Sequence, residues 1–136
     1  MISIQDSCKN ITSDMLKGFF AGWKEYPEPY KLLLILNNSE YKFMAIDDAD
    51  HKVIGFINAI SDGVLSAYIP LLEVLPEYQG RGIGSELVNN MLDKLKDHYM
   101  IDVVCDESVQ KFYERFGLIK YSAMILRNYD KQGGIK

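Results

Sequence analysis

Three glycines, at positions 80, 82 and 84, stand between an apolar segment and an amphipathic one, and they limit the folds open to this chain. The run "IPLLEVL" at 69–75 predicts a buried strand. After the glycines, residues 85–100 predict a helix because apolar side chains recur on one face: Leu87, Val88, Met91, Leu92 and Leu95. Glycine adopts positive φ without steric cost. The stretch therefore predicts a strand, a tight turn and a helix in direct succession.

A turn of this kind has two interpretations. The first N–H groups of a helix have no partner within the helix, and the helix dipole adds positive charge there, so the turn could bind phosphate. It could equally be only a tight connection, and the spacing leaves both open. Two phosphate motifs fit badly. A P-loop needs a lysine after its last glycine, where this chain has Ser85 and Glu86, and a dinucleotide fingerprint needs GxGxxG in a parallel unit.

The remaining sequence predicts elements in the order α-α-β-β-β-α-β-α-β. The predicted helices cover residues 12–23, 27–38, 85–100 and 107–117, and the predicted strands cover 41–46, 53–60, 64–75, 100–105 and 121–127. Strands in a meander followed by a crossover helix predict a mixed sheet with helices packed on it. The tail from about residue 130 to 136 is expected to fray.

Composition excludes several classes of protein. A chain of 136 residues with 48% hydrophobic and 25% charged residues predicts a single domain over 1–136. A net charge of −4 weighs against a nucleic-acid partner, and the longest apolar run, at 32–36, is too short to span a membrane. The start of the chain lacks a signal-peptide pattern, and Cys8 and Cys105 are expected to be reduced thiols of a cytoplasmic protein. Two cysteines and two histidines without ligand spacing predict no metal site.

Two motifs resemble those of one known family. Residues 79–84, "QGRGIG", resemble the Q/R-x-x-G-x-G/A signature of the GCN5-related N-acetyltransferase (GNAT) superfamily, and "FYERFGL" at 112–118 resembles its "FYekxGF" element. The resemblance covers nearly the whole chain. It implies an α/β (α+β) fold with a mixed, mostly antiparallel central sheet flanked by helices. It also implies a splayed strand pair that admits the arm of coenzyme A.

The resemblance implies acetyl-CoA as co-substrate. The pantetheine arm is expected beside the backbone of Val74 and Leu75, and an N–H near Glu73 or Val74 is expected to hold the thioester carbonyl and then the oxyanion. The pyrophosphate is expected against the loop and the start of the helix, at Gln79, Gly80, Arg81, Gly82, Ile83, Gly84 and Ser85.

Two residues are the catalytic candidates. Tyr113 matches the family tyrosine that protonates or hydrogen-bonds the departing thiolate, although it could simply be a core residue. Glu73 is the leading general base, because a carboxylate in an apolar run is a suitable environment for one; the alternative is an outward-facing glutamate. Asp102 is a weaker candidate. Asp106 stands where the family often has asparagine, and it could contact the pantetheine arm, face the amine or, preferably, cap the helix that begins at Glu107.

The resulting hypothesis is an N-acetyltransferase that moves an acetyl group from acetyl-CoA to a primary amine by direct attack in a ternary complex. The alternatives are a non-catalytic acyl-CoA-binding or sensor domain and an acyltransferase that uses a longer acyl-CoA. The acceptor is expected to be a small-molecule or peptide amine, with a homodimer possible. An aromatic pocket is one interpretation, and core packing the other, for Trp23, Tyr26, Tyr30 and Tyr68.

Overall fold

The computed structural model describes residues 1–135 and contains, within them, six strands and three α-helices. The strands are β1 (Ile2–Gln5), β2 (Tyr41–Asp47), β3 (Lys52–Ser61), β4 (Ser66–Ile69), β5 (Leu72–Val74) and β6 (Met100–Val103). The helices are α1 (Pro29–Asn38), α2 (Ile83–Lys94) and α3 (Glu107–Glu114). Short 3-10 turns cover Ser13–Leu16, Pro76–Tyr78 and Tyr129–Lys131.

The strands form one mixed sheet in the order β1-β2-β3-β4-β6, with β5 also paired to β3. All pairings are antiparallel except that of β4 with β6, which is parallel because helix α2 crosses over between them. The mixed, mostly antiparallel sheet flanked by helices is therefore confirmed. No helix within residues 1–135 is both long and apolar enough to cross a bilayer.

The core lies between this sheet and the helices. Strand β3 is buried continuously from Val53 to Ala59, because both of its faces are covered. Helix α2 packs its apolar face on β2 and β3, and the residues it buries are Ile83, Leu87, Val88 and Met91. The sheet and α2 therefore form a rigid support for the glycine loop between β5 and α2.

The prediction of a helix at 12–23 is wrong. Only Ser13–Leu16 forms a helical turn, and the chain then passes through left-handed conformations at Gly18 (φ 95°), Phe20 (φ 64°) and Gly22 (φ 85°). These conformations end a right-handed helix. Phe19 and Phe20 are nevertheless buried, so the apolar pattern reflected core contacts made from a loop.

The predictions at the sheet edges also need correction. The predicted strand at 121–127 is not paired, and residues 64–75 form two strands rather than one. Strand β1 was not predicted, because four residues are too few to show a clear alternation. Near the end of the described chain, Lys31 Nζ of α1 donates to the carbonyls of Gly133 (3.2 Å) and Gly134 (3.4 Å). Residue 136 lies outside the described part of the chain.

Candidate active site

The site begins with a break in the strand that precedes the glycine loop. Ile60 of β3 faces Tyr68 of β4, and Gly55 of β3 faces Val74 of β5. The two pairs are five residues apart on β3 but six apart on the other strand, so one residue is extra. This bulge lies at Pro70, between β4 and β5, where proline has no N–H to give to a ladder. Among the described strands, β6 pairs with β4 but not with β5, so the splayed strand pair expected here begins at this bulge.

Asn58 holds the bulge in place, and sequence reasoning missed it. Its side chain is 1% exposed; Oδ1 accepts from Leu71 N at 3.1 Å, and Nδ2 donates to Ser39 Oγ at 2.9 Å. The Asn58 backbone N–H also donates to Leu71 O at 3.2 Å. A buried amide must be hydrogen-bonded, and here it replaces the ladder bonds that the bulge interrupts. The available signal was one polar residue inside the apolar run "VIGFINAI".

Beyond the bulge, the open side of β5 presents the backbone of Val74. Two hydrogen bonds to β3 flank β5 along the chain, one from Leu75 N to Ile54 O (2.8 Å) and one from Asn58 N to Leu71 O. Together they show which backbone groups of β5 face β3. In an antiparallel ladder such bonds alternate, so the N–H and C=O of Val74 point away from β3. The Val74 carbonyl accepts from Gln79 Nε2 at 3.0 Å. Its N–H is directed into the cleft, whereas that of Leu75 is used within the sheet.

The glycine loop presents backbone donors at the start of α2. Gly80 (φ 79°) and Gly82 (φ 80°) are left-handed, and Gly82 is the N-cap of α2. Because the first helical bond runs from Glu86 N to Gly82 O (3.0 Å), the N–H groups of Ile83, Gly84 and Ser85 have no helical acceptor. A Cβ at Gly80 or Gly82 would meet nothing within 4 Å, so the backbone conformation, not crowding, requires glycine there. The donors and the helix dipole suit a phosphate.

A second side chain missed in the sequence braces this loop. The Tyr78 hydroxyl donates to Asp47 Oδ2 at 2.7 Å, which ties the turn before the loop to β2. This hydrogen bond raises the pKa of Tyr78 to about 12 and lowers the pKa of Asp47. Arg81 lies over the Tyr78 ring at 5.1 Å and donates to the Glu77 carbonyl at 3.3 Å. Its guanidinium therefore packs along the turn.

A cavity of about 620 Å³ connects these features, and its volume lies in the range of small-molecule sites. It is bounded by β5, the loop, the start of α2 and one face of α3. Of the nine predicted cofactor residues, Arg81 and Leu75 are not in its lining, and Leu75 is buried in the core. The other seven line it together: Val74, Gln79, Gly80, Gly82, Ile83, Gly84 and Ser85. Glu73 and Phe112 line it as well.

Tyr113 lies on a neighbouring face of α3 and borders a smaller cavity beside Cys105 and Val104. Its side chain is 7% exposed, and its ring packs edge-on against Phe112 with centroids 5.1 Å apart. Burial, and then the nearby Cys105, raise the pKa of Tyr113 to about 12. Its hydroxyl makes no hydrogen bond with any residue from 1 to 135, so it is free to donate to another group. Phe112, rather than Tyr113, contacts the loop cavity.

The Glu73 carboxylate is bound to the loop that replaces the predicted first helix. Its two oxygens accept from Phe20 N at 2.8 and 2.9 Å, and Oε2 also accepts from Ala21 N at 3.3 Å. These bonds stabilise the left-handed conformation of Phe20 and attach residues 18–23 to β5. Glu73 is thus a structural connection between the cleft and the N-terminal loop.

The predicted acceptor residues are spread over the molecule. Trp23 packs on Phe20, with centroids 4.8 Å apart, but it borders neither cavity; Tyr26 and Tyr30 do not border them either. Tyr68 faces Asp102 across the β4–β6 pair. Asp106 occupies the N-cap position of α3, but its side chain makes no capping bond, so the preferred role for it is not seen. Neither of these two cavities brings the aromatic residues together.

The two cysteines and the potential metal ligands were also located in the structure. Cys8 and Cys105 are both free, and burial raises the pKa of each thiol, with Asp106 adding to the effect at Cys105. A raised pKa reduces the thiolate fraction and hence nucleophilicity. Within the described residues, no three side chains of histidine, cysteine, aspartate or glutamate lie together as a potential metal site.

Comparison with known proteins gives the family of the chain. A model of the acetyltransferase (GNAT) family matches residues 8–118. This chain belongs to the GNAT family. A crystal structure of a Deinococcus radiodurans R1 protein assigned as an acetyltransferase superposes with a TM-score of 0.96 at 46% identity, covering 99% of this chain and 94% of the other. A GNAT family protein of Streptococcus pneumoniae TIGR4 superposes with a TM-score of 0.72 at 29% identity over 94% of this chain and 98% of the other.

Two sequence relatives are named as N-acetyltransferases. An uncharacterized N-acetyltransferase of Pyropia yezoensis is 30% identical over 73% of this GNAT chain, which spans only 59% of that relative's length. N-alpha-acetyltransferase 30 of Schizosaccharomyces pombe is 28% identical over 74% of this chain and 75% of its own. Acetyltransferases of this family use acetyl-CoA as co-substrate, and the loop donors and cleft described above suit its phosphates and arm.

Proposed function

We propose that this GNAT protein transfers an acetyl group from acetyl-CoA to a primary amine by direct attack within a ternary complex. The observation that carries the proposal is the bulge at Pro70, because it points the Val74 N–H toward the cleft. The same cleft ends at the N–H groups of α2 that have no helical acceptor. One end of the cleft suits a pyrophosphate and the other suits a thioester carbonyl. The two ends are joined by the lining of a single cavity.

Each backbone donor has a part in this reaction. The N–H groups of Ile83, Gly84 and Ser85 bind phosphate oxygens, aided by the helix dipole. The Val74 N–H donates to the thioester carbonyl and stabilises the oxyanion that develops as the amine attacks. The amine nitrogen forms a bond to the carbonyl carbon and gives up one proton to solvent or to a base, for which Glu73 is the candidate. The carbon–sulfur bond then breaks to release the thiolate of coenzyme A.

Tyr113 acts on the departing thiolate as a hydrogen-bond donor. With a pKa of about 12 it keeps its proton at every physiological pH. A thiol has an ordinary pKa of about 8.5, so complete proton transfer from this phenol is unfavourable, and stabilisation comes from the hydrogen bond itself. The raised thiol pKa values of Cys8 and Cys105 support direct attack over a covalent acyl-enzyme.

Release of free coenzyme A, measured against a panel of amines that includes peptides with free N-termini, tests the proposal. We expect Tyr113→Phe to lower kcat while KM for acetyl-CoA stays the same, with unchanged folding stability, because the hydroxyl has no partner among residues 1–135. Tyr129→Phe, at a site that is 72% exposed and outside both cavities, is the control. Coenzyme A binding without turnover on any amine would instead favour an acyl-CoA-binding domain.

The role of Glu73 is decided by two substitutions. Glu73→Gln keeps an oxygen that accepts from Phe20 N but cannot take a proton, whereas Glu73→Ala loses both properties. If Glu73 is the general base, both variants lose roughly 10²–10⁴-fold in kcat. If Glu73 only attaches the loop, Glu73→Gln retains turnover and Glu73→Ala is destabilised. Retained activity together with unchanged stability in both variants would exclude both roles.

A further inference from the structure

The bulge at Pro70 also decides which side chains of β4 and β5 share a face of the sheet. Along a regular strand, residues five apart point to opposite faces. Ile60 of β3 faces Tyr68. Phe56, four residues before Ile60, faces Glu73. Because residues four apart on β3 share a face, and paired residues do too, the extra residue of the bulge brings Tyr68 and Glu73 to one face.

The N-terminal loop lies on this face but covers only part of it. Phe56 packs edge-on against Phe19, with ring centroids 5.0 Å apart, and the Glu73 carboxylate binds the same loop. Further along the face, Ile60 is 56% and Tyr68 is 36% exposed. The face therefore begins at the candidate general base, beneath the loop, and continues as an open surface.

Asp102 of β6 extends this open surface. It faces Tyr68 across the parallel β4–β6 pair, and its side chain is exposed. Among residues 1–135 its carboxylate has no ion-pair or hydrogen-bond partner. Residues 97–110 include no lysine or arginine, and they carry four acidic side chains: Asp97, Asp102, Asp106 and Glu107. The negative potential of this segment attracts a cation to the Asp102 end of the surface.

A cavity of about 760 Å³ lies beside Asp102, and its lining suits an organic cation. Among the described residues, Asp102 is the one charged side chain in that lining. Four aromatic rings line the cavity as well: Tyr68, Tyr99, Phe116 and Tyr121. Aromatic faces attract ammonium groups, and the carboxylate supplies an opposite charge. The combination of one carboxylate and several rings thus recognises an alkylammonium group.

The distance between the two ends of the face limits the kind of acceptor. Glu73 and Tyr68 pair with Phe56 and Ile60, which are four residues apart on β3. At about 3.3 Å per residue, the two side chains are roughly 13 Å apart along the sheet. Residues 70–72, between them, are partly exposed, so an extended chain can pass along the strand. A short monoamine cannot reach both ends.

We propose that the acceptor is a linear polyamine, an inference that rests on the acetyl transfer proposed above. Its reacting amine lies beside Glu73 and the Val74 N–H, and a second ammonium group binds the Asp102 carboxylate and the Tyr68 ring. The reacting nitrogen loses one proton, to Glu73 or to solvent, and gains the acetyl group. The distal ammonium group keeps its proton and only positions the chain.

Octylamine and 1,8-diaminooctane test the proposal, because they share a carbon chain and differ only in the second ammonium group. With the unmodified protein we expect kcat/KM to be roughly 3–30-fold higher for the diamine, after correction for its two equivalent amines, as for one ion pair and one cation–π contact. The shorter 1,3-diaminopropane should have no such advantage over propylamine. Equal kcat/KM for octylamine and 1,8-diaminooctane would overturn the proposal.

Asp102→Asn locates the second ammonium group. We expect this substitution to abolish the preference for the diamine over octylamine. Asp97→Asn is the matched control, since Asp97 is also exposed and acidic but does not line the cavity, and it should keep the preference. If Asp102 were instead the general base, turnover of both amines would fall together and the preference would persist. A persistent preference in Asp102→Asn, or its equal loss in both variants, would contradict the assignment.

A binding measurement separates this inference from the proposed function. Each amine is titrated calorimetrically into the protein in the presence of coenzyme A, so that no acetyl transfer takes place. Tighter binding of the diamine, weakened by Asp102→Asn but not by Asp97→Asn, would support the cation site even if no amine were acetylated. Equal binding of both amines, with acetyl transfer to octylamine, would leave the proposed function standing and overturn the polyamine acceptor.

Discussion

Gly82 and Gly84 lie in the same loop but are glycines for different reasons. Gly82 has φ 80°, which disfavours any side chain, although nothing would touch a Cβ there. Gly84 has no positive φ, and its Cβ would make ordinary contacts of 3.8 Å with Phe112 and Val74. Backbone conformation restricts the side chain at Gly82, whereas at Gly84 the space needed by a ligand would restrict it.

Alanine at each position separates these reasons. We expect Gly82→Ala to cost about 1–2 kcal/mol of unfolding free energy, because alanine is strained in the left-handed region. Gly84→Ala should instead stabilise the apo protein by about 0.5–1 kcal/mol, as alanine favours a helix. Both should raise KM for acetyl-CoA. Urea denaturation and initial rates measure the two effects, and an unchanged KM for Gly84→Ala would remove the phosphate from this part of the loop.

Two tyrosines make the unfolding free energy depend on pH in the alkaline range. Tyr78 and Tyr113 have folded-state pKa values raised from 10.0 to about 12. Between these values the unfolded chain loses phenolic protons that the native state retains, so the native state binds more protons and stability falls as pH rises. The contribution is complete below the unfolded pKa of 10.0.

Urea unfolding at pH values on either side of this transition measures the effect. We expect the unfolding free energy of the unmodified protein to fall as pH rises through it. Tyr113→Phe should reduce the fall, and Tyr129→Phe, which alters an exposed residue outside the cavities, should not. An identical fall in all three proteins would show that burial of Tyr113 does not perturb its ionisation.

Among the elements, the bulge between β4 and β5 sets the shape of the cleft. The bulge exists because Asn58 supplies the bonds that the shifted register removes. We expect Asn58→Leu to cost about 1–3 kcal/mol, because the partly buried Leu71 N–H loses its acceptor, and to raise KM for acetyl-CoA as the cleft relaxes.

Ser39→Ala is the control for this substitution. It removes the second partner of Asn58 but leaves the bond to Leu71. It should destabilise the protein while KM stays the same, as judged by urea titration and initial rates. Equal effects of both substitutions on KM would mean that general loosening of the core, rather than the bulge, controls the cleft.

Helices were predicted correctly where local sequence signals alone determine the structure. Helices α1 and α2 were predicted because their apolar residues recur at helical spacing and a proline or glycine marks their starts. Residues 12–23 show a similar spacing, but Gly18 and Gly22 are in left-handed conformations, and Glu73, more than fifty residues away, holds the loop. Local periodicity cannot detect such a distant hydrogen bond.

For the whole molecule, ligand binding should be visible as stability. A ligand that binds only the native state at a hundred times its Kd adds about 2.7 kcal/mol of unfolding free energy. For a chain of this length, that corresponds to a rise in Tm of roughly 8 °C. Coenzyme A should produce this shift in a thermal melt, and Gly82→Ala should reduce it. No shift at saturating coenzyme A would contradict the assignment of the cleft.

The local sequence determined the family, the glycine loop and the positions of α1 and α2, because helix spacing, caps and glycine turns depend on neighbouring residues. Tertiary structure alone decided the bulge at Pro70, the direction of the Val74 N–H, the attachment of Glu73 to Phe20 and the exposure of apolar residues between 119 and 126. These depend on strand register and on hydrogen bonds between residues distant in sequence. Apolar alternation at 121–127 indicated a strand, but pairing requires a second strand, and within residues 1–135 the structure does not place one beside it.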